Sequence, residues 1–153
     1  MMRHDDIPVE LNDLAERVIG SAIQVHRELG PGFAEKTYHR ALMIQLEEDG
    51  IEFASEVPVE LTYHDRGIGD GRIDLLIDDR LVVELKAAEA NPDKYRRQAV
   101  CYLKATGLQL ALVMNFEADT IKQGLARVVN TNSSPRLRAS APSAIPVSPA
   151  PHA

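Results

Sequence analysis

Residues 71–87 read GRIDLLIDDRLVVELKA. Two apolar runs, 72–77 and 81–87, flank Asp78-Asp79-Arg80, a pattern that predicts two short strands joined as a hairpin. Side chains two apart along a strand share a face, so Glu84 and Lys86 project from one face of the second strand and Val83 and Leu85 from the other. Asp74 is a carboxylate inside the first strand. A carboxylate or an ammonium in an apolar strand is costly to bury unless it is paired or binds a metal. Loop parity decides whether the two acids meet. With a three-residue loop, Ile77 pairs with Leu81 and Asp74 falls opposite Glu84. A two-residue loop would pair Asp74 with Val83 and send the carboxylates to opposite faces.

Two adjacent carboxylates suit Mg²⁺ or Mn²⁺, hard cations that prefer oxygen ligands and retain several waters. Such a cation polarises a phosphoryl oxygen and acidifies a bound water. A lysine on the same face, Lys86, can orient that water or stabilise charge developing on the phosphate. Asp74 and Glu84 as metal ligands, with Lys86 beside them, are a sufficient set for phosphodiester hydrolysis. The same three residues would also make a buried ion cluster with no chemistry, and spacing alone does not separate the two readings.

Upstream, Leu11, Leu14, Val18, Ala22, Val25 and Leu29 recur at steps of three and four, which predicts an amphipathic helix over 10–29. Gly30-Pro31-Gly32 ends it. A second helix is expected over 34–49, with Tyr38, Leu42 and Leu46 on one face. Val57, Val59 and Leu61 alternate with polar residues, so 51–63 reads as a strand, and 64–71, with three glycines, as a turn. Downstream, Asn91-Pro92-Asp93 opens a helix that Gly107 closes, and 108–116 reads as a further strand. Residues 119–129 fit either a short strand or a short helix. From Thr131 onward the chain carries five of its nine prolines and few large apolar side chains, too little to offset ordering entropy. The expected division is a flexible start over 1–9, an α/β domain over 10–130 and a disordered Pro/Ser/Ala-rich tail over 131–153.

The bulk numbers suit that division. Length (153 residues), 44% hydrophobic and 26% charged content are ordinary for one globular domain. The net charge is −6, and the tail contributes two arginines and no acid, leaving −8 for the rest. That counts against a nucleic-acid coat protein. It does not count against a metal enzyme, whose site is built from carboxylates. No apolar run approaches the roughly 20 residues a membrane helix needs. With no secretory pattern at the start and a single cysteine, Cys101, the expectation is a cytoplasmic protein.

Other residues fall near the predicted site. Gln98 and Tyr102 are four apart on the helix after the second strand and share a face, although Tyr102 also reads as core. Lys94, Arg96 and Arg97 crowd the start of that helix, where they can meet phosphates or simply be solvated. Glu35 opens the second helix, a place favourable to any acid. His26 lies near an apolar stripe, the usual setting of a structural histidine.

Together these residues resemble a known family. Gly32-Phe33-Ala34-Glu35-Lys36-Thr37-Tyr38 has the form that names the GxxExxY proteins, a branch of the PD-(D/E)XK nuclease superfamily. VHRELGPGFAEKTYHRAL, GRIDLLIDDRLVVELKA and QAVCYLKATGLQLALVMNF look like that family's successive blocks, and the likeness covers roughly residues 10 to 130. It implies a restriction-endonuclease-like α/β core: a helix, a three-stranded antiparallel meander, a helix and a further strand, forming a mixed sheet flanked by helices. It also implies roles. Asp74 matches the motif aspartate, Glu84 and Lys86 the E-x-K, Glu35 the helical acid, and Gln98 with Tyr102 a Q-x-x-x-Y signature. The expectation is a Mg²⁺- or Mn²⁺-dependent nuclease. Asp74 and Glu84 would hold the metal, Glu35 and Lys86 would position water, and Gln98, Tyr102, Lys94 and Arg97 would bind nucleic acid, DNA ahead of RNA. The alternative is a non-catalytic binding or assembly module on the same fold. A homodimer or a partner protein is expected, because a domain this short has little room for recognition elements.

Overall fold

The computed structural model describes residues 6–89 and 91–130. The tail over 131–153 and residues 1–5 of the expected flexible start lie outside them. Ile7 is buried in the core, so the packed structure begins ahead of residue 10. The elements run α1 (Val9–Leu29), α2 (Glu35–Glu48), β1 (Phe53–Tyr63), β2 (Arg66–Ile77), β3 (Leu81–Lys86), α3 (Pro92–Thr106), β4 (Leu110–Asn115), α4 (Ile121–Gly124) and β5 (Leu125–Val129). Residues 119–129 therefore hold both a helix and a strand. Thr120 starts the helix by accepting the Gln123 N–H at 3.2 Å. Among the described residues no helix is long and apolar enough to cross a membrane.

The five strands form one mixed sheet in chain order. β3 and β4 are parallel, joined through α3, and every other neighbouring pair is antiparallel. Alternation along β3 divides the core in two. Leu81, Val83 and Leu85 face α1 and α2, where Val18, Ala22, Tyr38 and Leu42 cover them. Val82 faces α3 and packs with Ala99 and Leu103. At the far edge, buried Asn130 donates to Leu103 O (3.2 Å) and Leu108 O (2.9 Å), tying the chain after β5 to the end of α3.

Two features depart from the simple meander. The segment over 64–71 is not a turn: only His64 and Asp65 turn, both at positive φ (50° and 64°), and β2 starts at Arg66. Gly67, Gly69 and Gly71 recur at every second position, which is the strand period. Gly71 is glycine for a steric reason, since a Cβ there would lie 2.6 Å from Tyr102 Cε1.

The second departure is a change of face. Phe53, Leu75 and Ile77 lie in the α1/α2 core, and alternation would put Val57 and Ile73 there too, yet both pack on the α3 side. The flip occurs at Glu56, which adopts φ 54°, and at the facing Asp74. That pair is missing from a register otherwise running from Ser55↔Leu75 to Val57↔Ile73. A left-handed non-glycine residue in a strand marks a local irregularity that re-aims the chain.

Gly71→Ala is expected to destabilise the domain by about 1–3 kcal/mol through overpacking. Most of that cost should disappear in a Tyr102→Ala background. Urea denaturation of both single variants and the double variant checks this, and simple additivity would contradict the contact.

Candidate active site

Asp74 and Glu84 meet where β2 leaves β3. Ile77 pairs with Leu81 and Leu75 with Val83, so the hairpin loop has three residues and the next position in register sets Asp74 against Glu84. The ladder stops there and the carboxylates take over. Asp74 N–H donates to Glu84 Oε2 at 3.1 Å, and Leu85 N–H donates to Asp74 Oδ2 at 2.8 Å. Glu84 is only 3% exposed. Burial first, then the neighbouring Asp74, push its carboxyl from 4.5 up to about 8. The Asp74 N–H and Lys86 pull the other way, and Glu35 adds to the rise.

Glu35, the first residue of α2, belongs to the same electrostatic group. Partial burial and then Asp74 raise its pKa, while Lys86 lowers it. The loop that presents it is pinned by Tyr38, one turn along. That hydroxyl donates to Gly30 O and accepts the Phe33 N–H at 3.1 Å, and the ring stacks on Phe116 with centroids 4.6 Å apart.

Lys86 is not locked between the acids. Its Nζ donates to Gln98 Oε1 at 3.0 Å and lies 4.9 Å from the centroid of the Tyr95 ring. Between described residues the one ion pair is Arg72 with Glu56, 3.4 Å apart on the surface. Three carboxylates, one of them buried, therefore share a single ammonium that is held elsewhere. That imbalance fits a divalent cation. No three His, Cys, Asp or Glu side chains among the described residues converge to hold a metal by themselves. A pair of carboxylates is a ligand set that Mg²⁺ commonly completes with water or substrate.

A model of the PD-(D/E)XK nuclease superfamily matches residues 12–128, the span that carries all of these groups. The chain belongs to the PD-(D/E)XK nuclease superfamily. Neither comparison with curated proteins nor comparison with solved structures gives a match. The five-stranded mixed sheet flanked by helices is the restriction-endonuclease-like architecture of that superfamily. PD-(D/E)XK nucleases in general use divalent metal ions.

Around this superfamily core the other candidates separate. Gln98 reaches Lys86. Tyr102, four residues on, does not: its hydroxyl accepts the Arg72 N–H at 3.3 Å and its ring lies against Gly71. Lys94 and Arg97 are exposed, and the Lys94 N–H caps α3 on Asn91 Oδ1 (3.3 Å). His26 is buried, with Nε2 at 3.1 Å from Phe116 O and 2.9 Å from Ala118 O. It fastens α1 to the turn after β4 and stays remote from the acids in role. Tyr95 was not anticipated. The signal was there, because it precedes Gln98 by three positions and so shares its helix face.

In the metal-free protein the raised Glu84 pKa sets a sign. The folded state keeps a proton that the unfolded state loses near 4.5, so stability should fall as pH rises from about 4.5 to about 8. The slope should reach at most about 1.4 kcal/mol per pH unit. Urea denaturation in chelator should show this slope in the wild type and its loss in Glu84→Gln. A divalent cation should reverse the trend, because it displaces the proton. A pH-independent wild type would contradict the assignment.

Proposed function

We propose that this chain is a divalent-metal-dependent nuclease of the GxxExxY branch, hydrolysing phosphodiester bonds of DNA, with RNA as the second substrate to test. The observation that carries the reading is the Asp74–Glu84 carboxylate pair with Lys86 held beside it by Gln98 and Tyr95 rather than salt-bridged between the acids. A non-catalytic assembly module would use its lysine to neutralise its acids, and nothing in this arrangement favours that.

Asp74 and Glu84 would hold Mg²⁺ or Mn²⁺, which supplies polarisation of a phosphoryl oxygen and acidification of water when bound. The chain's own groups do the rest. Gln98 Oε1 takes one Lys86 N–H and leaves the others for the phosphate or the attacking water, where added positive charge stabilises the transition state. Glu35, its pKa raised by burial and then by Asp74, would accept a proton from that water. As the water oxygen bonds to phosphorus, the bond to the leaving sugar oxygen breaks. Lys94 and Arg97, exposed on the first turns of α3, would steady the strand electrostatically. Tyr102 would support that binding indirectly, through β2. A cytoplasmic setting fits the single, exposed Cys101. A second copy or a partner protein would supply the recognition surface that so short a domain lacks.

Labelled single- and double-stranded DNA and RNA, incubated with Mg²⁺, Mn²⁺ or chelator, test the reading. Wild type should cleave at least one substrate only with metal. Glu84→Gln should be slower by about 10²-fold or more, with its circular dichroism unchanged. Equal cleavage by the two proteins at saturating metal would contradict it.

A further inference from the structure

On the α3 side of the sheet, past the end of β3, lies a cavity of about 290 Å³, near the lower size of small-molecule sites. Val113, Leu125 and Ala126 give it an apolar wall, and Tyr95 forms the side toward Lys86. The same tyrosine ring carries the Lys86 ammonium 4.9 Å from its centroid. Asn115, also in the wall, is the residue of β4 that pairs with Lys86 in the β3–β4 register. The cavity is therefore an immediate neighbour of the ammonium that the nuclease reading places at the phosphate.

Its polar groups describe an occupant. The Asn115 amide is already engaged, with Nδ2 donating to Ala88 O (2.9 Å) and Oδ1 accepting the Glu117 N–H (3.0 Å). The side chains of Arg96, Gln123, Glu89 and Glu117 also line the cavity. None of these four makes a side-chain hydrogen bond or an ion pair among the described residues. Two acids to one arginine make the interior poor for a phosphate. An apolar wall, an aromatic side, an amide and two carboxylate acceptors suit a neutral planar heterocycle that carries an amino group, since carboxylates accept from the exocyclic amines of bases. Arg96 then meets the strand's backbone at the rim.

We propose that this cavity receives one unpaired base of the substrate strand, next to the phosphate at Lys86, and prefers amino-bearing bases over thymine. The proposal rests on the nuclease reading and narrows it. A base stacked in a duplex reaches such a cavity only if flipped out, so the substrate is single-stranded DNA or a strand end.

The test is binding rather than cleavage, by fluorescence anisotropy with Ca²⁺, a hard cation that takes the same oxygen ligands. The probes are a labelled oligo(dC), an oligo(dT), a duplex and an oligo(dC) with abasic positions. Wild type is expected to bind oligo(dC) at least 10-fold more tightly than the duplex or the abasic strand, with oligo(dT) between. Ala88→Trp, at an exposed position on the cavity wall, should fill the cavity and reduce oligo(dC) binding to the abasic level. Gln123→Ala, a smaller change at an exposed side chain, should weaken oligo(dC) binding several-fold and leave the abasic strand unaffected. Tight binding that ignores the abasic positions and both substitutions overturns the base site and leaves the nuclease reading standing. No binding of any nucleic acid overturns both.

Discussion

Just past the last β2–β3 pair, two backbone amides are satisfied by carboxylates instead of carbonyls: Asp74 N–H by Glu84, and Leu85 N–H by Asp74. The exchange lets β2 part from β3 without orphaning buried amide groups, and it draws two acids together in a place where one of them, Glu84, is almost wholly shut off from water. Burial first, and the like charge of Asp74 second, make ionisation of Glu84 costly, and its raised pKa expresses that cost. The fold keeps the arrangement because the flanking ladder is strong. Leu75, Ile77, Leu81, Val83 and Leu85 are fully buried against α1 and α2, and a slip of one residue would turn the slipped strand's set to the α3 face.

The helices serve that point from both sides. On one face, Tyr38 and Phe116 stack beneath the loop that delivers Glu35, and His26 bonds the carbonyls that follow β4. On the other face, α3 brings Gln98 and Tyr95 to Lys86, and Tyr102 to the β2 backbone. An ammonium over an aromatic ring and bonded to an amide keeps its charge while staying out of the acid pair. That leaves the carboxylates to the proposed divalent cation.

Much of this was legible in the sequence. The apolar runs on either side of Asp78-Asp79-Arg80 announced the hairpin but left its loop parity open, and it is the Ile77↔Leu81 pair that sets Asp74 against Glu84. Helical period located α1 and α2, the Asn91-Pro92-Asp93 start and Gly107 stop located α3, and β-rich apolar runs located the strands. Gly67, Gly69 and Gly71 misled, because glycine is first read as a turn former, although their period of two is that of a strand. The face change at Glu56 and Asp74 was not legible, since it comes from a single left-handed backbone conformation that no side chain announces. The partner of Tyr102 was hidden for a related reason. Helical spacing puts Tyr102 on the face of Gln98, but one turn further along α3 it meets Arg72 and Gly71 instead of Lys86.

In the proposed site, Asp74 and Glu84 bind a divalent cation while Lys86 stands beside it and outside it. Calorimetric titration of Mn²⁺ into wild type, Asp74→Asn and Lys86→Ala measures this directly. Saturable binding to wild type is expected, with binding weakened by about tenfold or more in Asp74→Asn and at least as tight in Lys86→Ala, because a nearby cation opposes a second one. No Mn²⁺ binding by wild type, even with nucleic acid present, or a Lys86→Ala variant that loses binding together with Asp74→Asn, would contradict it.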